Sequence, residues 1–258
     1  MSASARPRYP SQPIRPIRAL KAFSGLVGDR DDTRYVFAFF NAVNGRSNEA
    51  FYERFFNSDY GRRFLSDPLA LGRTLTDRAA LESYGPGTFA AAYLAYLDRE
   101  NLQPLGVHDA ALANAPDMMA RLKSDWPDLY WLHYHGSLTH DLYHVLTGYG
   151  RDPLGEALLL VFSGIHTGGR GARLLGALAG LRIRAEIPSW PVGKMMREAV
   201  GLARGARHFP TSDLAGLLPL PLEEARRRLH VSAPRLYLAT RAGWDGPEPA
   251  TPKAASGV

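Results

Sequence analysis

The 258-residue chain contains no cysteine. Disulfides, iron–sulfur clusters and thiolate nucleophiles are thereby excluded, and any bound metal must be held by nitrogen and oxygen. No apolar run approaches the roughly 18 residues that a membrane-spanning helix needs. The greasiest stretches, Leu158–Phe162 and Leu174–Leu181, are far too short. Acidic residues are missing before Asp29, although Arg6, Arg8, Arg15, Arg18 and Lys21 precede it. Pro7, Pro10, Pro13 and Pro16 are expected to break any helix in residues 1–28. Residues 1–15 are read as an extended basic arm, since an amphipathic presequence would need helix. An apolar signal-peptide core is also lacking, so secretion is not expected. Alternating strand-like segments and internal repeats are absent as well.

What remains is ordinary for a globular chain: 45% hydrophobic, 22% charged and 10% aromatic residues. Lys and Arg exceed Asp and Glu by 31 to 25, giving a net charge of +6. Such an excess suits an anionic membrane surface, an acidic substrate or nucleic acid. The arginines are scattered and not interleaved with aromatics, so nucleic acid is not an expected partner.

Periodicity is helical throughout. Tyr35–Val43 forms an aromatic-rich helix, and Phe51, Phe55 and Phe56 mark a core-facing stripe in the next. Short helical pieces follow at Tyr60–Leu65 and Ala79–Tyr84. Pro86-Gly87-Thr88 opens a helix through Asp98, and Pro127–Thr147 is the longest helical stretch, ended by Gly148 and Gly150. Asp152 and Pro153 supply an N-cap and a first helical residue for a helix reaching about Gly168. Leu174–Leu181, Val192–His208 and Pro221–Leu229 complete the set. The expected fold class is all-α: one helical domain over residues 16–240 containing a long helix hairpin, then a disordered tail at 245–258.

The hairpin carries the chemistry. His140 and His144 lie four residues apart, one turn along one helix face, so both imidazoles can approach one ion. Asp141 lies about 100° round from His140 and flanks the same stripe. Gly148–Arg151 reverses the chain, which brings Glu156, in the first turn of the second helix, back towards the first. Two imidazoles and two carboxylates form a candidate site for zinc, iron or manganese. With eight histidines in the chain, His133 and His135 among them, a merely His-rich helix is the bland alternative.

The run His140-Asp141-x-x-His144, eleven residues, then Glu156 resembles the signature of the COQ-four family of ubiquinone (coenzyme Q) biosynthesis proteins. Further similar features are Asp31-Asp32-Thr33 before an aromatic helix, Gly61-Arg62, and Pro86-Gly87-Thr88 before Tyr93. His144 to Gly148, Leu154-Gly155-Glu156, Thr167-Gly168 and Leu222–Val231 with Pro234 extend the likeness over residues 20–235. The resemblance implies an all-helical protein acting on polyprenylated benzoates, with a divalent metal held by His140, Asp141, His144 and Glu156. It implies removal of the ring carboxylate with oxidative hydroxylation at the same carbon. It also implies association with other ubiquinone-biosynthesis enzymes at a membrane surface.

A prenyl tail needs an apolar groove, for which Leu158–Phe162, Leu174–Leu181 and Ala90–Ala95 are candidate walls. Lys194, Arg197, Arg204 and Arg207 share a segment with Trp190, Met195, Met196, Val200 and Leu202, a basic amphipathic stretch suited to an anionic leaflet. Two other classes stay open: a non-catalytic lipid-binding scaffold for a biosynthetic complex, and a zinc hydrolase in which Asp141 replaces the glutamate of H-E-x-x-H. The expected location is the cytoplasm beside the inner membrane, with the matrix side of the mitochondrial inner membrane as alternative. Self-association, the metal's identity, the ring substrate and the tail length are not fixed by the sequence.

Overall fold

The computed structural model describes residues 13–28, 33–246 and 249. The arm expected at 1–15 and the tail at 245–258 lie almost wholly outside the described residues. Among the described residues there are fifteen α-helices and no strand. In chain order they are α1 (Pro16–Gly28), α2 (Thr33–Val43), α3 (Glu49–Asn57), α4 (Asp59–Ser66), α5 (Ala70–Thr76), α6 (Arg78–Ser83), α7 (Phe89–Glu100) and α8 (Gly106–Asn114). Then come α9 (Pro116–Asp125), α10 (Pro127–Thr147), α11 (Pro153–Thr167), α12 (Arg170–Glu186), α13 (Val192–Gly205), α14 (Leu222–Arg228) and α15 (Arg235–Ala242).

Pro16 corrects one expectation. It does not end helix formation but begins α1, because the first helical residue needs no donor and proline's fixed φ already suits it. The helices α5, α8, α9 and α15 were not expected from periodicity; each is ten residues or shorter.

The main core is built where α7, α10, α11 and α13 meet. Phe89, Tyr93, Leu138, Leu142, Leu146, Leu154, Leu158, Phe162, Met195 and Ala199 are all at most 1% exposed. The stripe Phe55 and Phe56 joins this core fully buried. A second, smaller cluster joins α1, α2 and α12 through Ala19, Ala22, Phe39, Ala42 and Val43, with Leu175 and Leu178 packed against it.

The start of α7 is anchored from far along the chain. Thr88 caps it by accepting from the Ala91 amide at 3.1 Å. The next free amides, Phe89 and Ala90, donate to the carbonyls of Leu220 and Leu218 at 2.8 and 3.0 Å. Orphan helix-start donors are thus satisfied by the segment leading into α14.

Candidate metal centre

α10 ends where Gly148 adopts φ +80°, a left-handed conformation that favours glycine, with its amide donating to the His144 carbonyl at 2.8 Å. Arg226 on α14 then takes up two of the carbonyls left free at that end. Its Nε donates to Leu146 at 3.0 Å and its Nη2 to Val145 at 2.9 Å. Asp152 caps α11 by accepting from the Gly155 amide at 3.1 Å. A Cβ at Gly155 would collide with the Gly150 carbonyl, so the turn is tight enough to require glycine there. Tyr237 on α15 ties the turn down: its hydroxyl accepts from the Gly150 amide at 2.9 Å and donates to Asp152.

This hairpin brings three of the four sequence candidates together. His140, His144 and Glu156 each offer a ligand atom, and these atoms all lie within 4.8 Å of one another. Asp141 sits elsewhere: 5% exposed, with Oδ1 3.3 Å from His140 Nδ1. A carboxylate there accepts from Nδ1–H, which leaves Nε2 as the free nitrogen of His140. That is the usual manner in which an outer carboxylate orients a ligating histidine.

His144 supplies the sharpest observation. Its Nδ1 lies 2.9 Å from the Tyr149 carbonyl. A carbonyl only accepts, so Nδ1 carries the proton and Nε2 presents a lone pair. That Nε2 is buried without a hydrogen-bond partner, and it faces Glu156 Oε1 at 3.5 Å. A lone pair pointed at a carboxylate oxygen is an unfavourable pairing unless something positive sits between them. The spacing matches two ligands of one tetrahedral ion, about 3.4 Å apart when each metal–donor distance is about 2.1 Å. The donor set therefore fits a divalent metal, and a His/His/Glu triad can hold one here.

Burial and neighbouring charge act differently on the three side chains. Burial pushes the His144 imidazole well below its ordinary range, with His140 beside it adding to the effect. Burial also opposes charge on His140, but the bond to Asp141 and the charges of Glu156 and Asp141 outweigh it, and the net shift is upward. The Glu156 carboxyl is raised, first by loss of solvation, despite the opposing influence of His140 and Arg151. The side chains of His140 and Glu156 keep 38% and 36% exposure while His144 keeps none, so the triad opens to one side.

Two further residues border the triad, Tyr96 and Arg151, and neither is among the candidates read from the sequence. Tyr96 of α7 stacks on His144 at 5.5 Å between ring centroids and 22° between planes. One turn earlier lies Tyr93. Both hydroxyls are buried without a partner, and burial together with the nearby Asp141 charge keeps both phenols protonated. Arg151 places its Nε 3.9 Å from Glu156 Oε1. The i, i+3 spacing of Tyr93 and Tyr96 on α7 is the one local signal for the tyrosine, and Arg151 carries none beyond its place in the turn.

The predicted apolar walls part company. Leu158, Leu159 and Phe162 belong to the core, whereas Leu174 and Leu181 are exposed. The other side of α7 lines a cavity of about 290 Å³ with Leu94 and Leu97, opposite Leu75 and Leu102. It includes none of the triad. The apolar side of α13, with Met195, Ala199 and Ala203, is buried in the core, which leaves its basic side to solvent. Among the described residues no helix is long and apolar enough to cross a membrane.

No protein-family model matches the chain, and no curated protein matches it. A solved structure does. It is the crystal structure of a proposed ubiquinone biosynthesis protein from Nostoc punctiforme PCC 73102, with a TM-score of 0.60 and 16% identity. The match covers 84% of this chain and 98% of that one. The two share a fold. At this identity the likeness speaks to architecture alone.

Proposed function

We propose that this protein is a divalent-metal-dependent enzyme of ubiquinone biosynthesis that removes the carboxylate from a polyprenylated hydroxybenzoate ring, working at a membrane surface beside other enzymes of the pathway. The observation that carries the reading is the bare Nε2 of His144 facing Glu156 across 3.5 Å, with His140 held beside it by Asp141. The fold shared with a proposed ubiquinone biosynthesis protein supports it, as does the His140-Asp141-x-x-His144…Glu156 signature.

The residues divide the work as follows. His140, His144 and Glu156 hold the ion, and Asp141 fixes the His140 ring. When bound, a divalent metal supplies Lewis-acid stabilisation of a carboxylate and of charge that develops as carbon dioxide leaves. Arg151 adds positive charge beside Glu156 and so favours an anionic group in the open side of the site. Tyr96, stacked on His144, walls the site on the α7 side. In the decarboxylation the ring–carboxylate bond breaks, its electron pair stays on the ring, and a proton replaces carbon dioxide at that carbon. The oxidative form, which leaves a hydroxyl there, needs dioxygen and two electrons in addition.

The test is to incubate purified protein, loaded with zinc, iron or manganese, with a prenylated hydroxybenzoate, with and without dioxygen and a reductant. Carbon dioxide release that depends on metal and is lost in His144→Ala is expected. Absence of release under every condition would refute the enzymatic reading.

A further inference from the structure

The first described helix is built against the usual pattern of a surface element. α1 turns Ala19 and Ala22 onto α2, and both are buried. Its outward side mixes cations with large apolar residues: Ile17 is 74% exposed and Leu20 67%, with Ile14 just before the helix at 49%. Each exposed apolar residue is followed in sequence by a cation, as Ile14-Arg15, Ile17-Arg18 and Leu20-Lys21, and Arg18 and Lys21 are themselves exposed. The other outer helix of this layer repeats the arrangement. On α12, Leu174 and Leu181 are 43% and 64% exposed, one and three turns along a row that Arg170 begins and Arg184 ends. Both helices pack on α2 through the same small cluster.

Isolated exposed leucines are common on protein surfaces. A row of them edged by cations with no acid before Asp29 is a different composition. It is that of a helix lying in the headgroup region of a membrane, with apolar side chains entering the acyl boundary and lysine and arginine stems reaching up to phosphates. We infer that the outward face of α1 is a docking surface for an anionic lipid leaflet. This extends the reading that the protein works at a membrane on a prenylated substrate, and it assigns the contact to a specific face. The basic side of α13 is the rival. Its apolar residues are spent in the core, so it has charge to offer a leaflet but little to insert.

The full-length protein is sedimented with vesicles of phosphatidylcholine alone and of phosphatidylcholine mixed with phosphatidylglycerol. Binding to the mixed vesicles, weakened by salt, is expected. Each cation at such a surface contributes about fivefold in partitioning. The double variant Arg18→Glu/Lys21→Glu should therefore lose at least roughly thirtyfold. Ile17→Ser/Leu20→Ser should lose roughly tenfold or more at every salt concentration. Lys194→Glu/Arg197→Glu should bind like wild type. Circular dichroism and metal content are expected to be unchanged in all of these, since the altered side chains are exposed and lie outside the triad. Three outcomes overturn the inference: no binding of the wild type to mixed vesicles, loss in the α13 variant but not in the α1 variants, or a dimer that Ile17→Ser/Leu20→Ser dissociates while vesicle binding persists. Because metal content and carbon dioxide release are read separately, failure of the docking face is distinguishable from failure of the enzymatic reading.

Discussion

Replacing Glu156 by glutamine should change stability in opposite directions with and without metal. In the metal-free protein, His144 Nε2 presents a lone pair to a carboxylate oxygen 3.5 Å away, and neither can donate. Glutamine is nearly the same shape and carries an amide N–H₂ that can point at that nitrogen. The substitution satisfies a buried acceptor and removes a carboxylate whose solvation is already compromised. One new hydrogen bond contributes about 0.5–1.5 kcal/mol, so metal-free Glu156→Gln should melt about 2–4 °C above metal-free wild type for each kcal/mol gained in a domain of this size. With metal the order reverses. A ligand present at a hundred times its Kd stabilises the native state by about 2.7 kcal/mol, and the variant, lacking an anionic ligand, should gain little of it. Scanning calorimetry of both proteins in chelator and in excess zinc or manganese gives all four values. A variant that is less stable than wild type in chelator, or that keeps the full metal-induced shift, would refute the reading of the His144–Glu156 pair.

Other consequences can be checked more simply. Gly155→Ala should cost about 2 kcal/mol or more by chemical denaturation and weaken metal binding as well, because its Cβ has no room against the Gly150 carbonyl; a silent substitution would contradict the tight turn. Tyr237→Phe removes the hydroxyl shared by the Gly150 amide and Asp152, so about 1–3 kcal/mol of stability should go. Metal affinity should fall with it; unchanged affinity would mean that α15 does not position Glu156. Acid should unfold the protein steeply. His135, His166 and His208 are buried and neutral, with burial lowering them to about 3, about 4 and about 4. Between those values and the unfolded value near 6.5 the unfolded chain binds more protons, so stability is full above about pH 6.5 and falls as pH drops through that window. A melting temperature that stays flat from neutral pH to pH 4 would contradict this.

The parts of the site that were legible in the sequence are those whose contacts are local. The i, i+4 pair His140 and His144 and the Gly-Arg-Asp-Pro reversal to Glu156 are written within seventeen residues, and helix geometry carries them into space. The bounds of α10 were readable because Pro127 and Gly148 stand at its two ends. Asp141 shows where local reasoning stops. Its angular position put it beside the stripe, but whether it ligates or orients depends on how the His140 ring turns, and it lies on Nδ1. The longer-range supports carry no local mark. Tyr96 reaches the site from α7, and Arg226 and Tyr237 brace the hairpin from about 80 residues downstream. For the fold, the long and strongly patterned helices were evident. The short α5, α8 and α9 were not, because fewer than three turns give little periodicity and their stability comes from packing. The amphipathic pattern of α13 was visible, but its sequence did not say whether the apolar side would meet lipid or core; it meets core.

Under the proposed function, His140, His144 and Glu156 close around one divalent ion. Elemental analysis of the purified protein after dialysis measures this most directly. About one metal per chain is expected in wild type, with loss of it in His144→Ala and retention at weaker affinity in Asp141→Asn. Equal metal content in wild type and His144→Ala would contradict it.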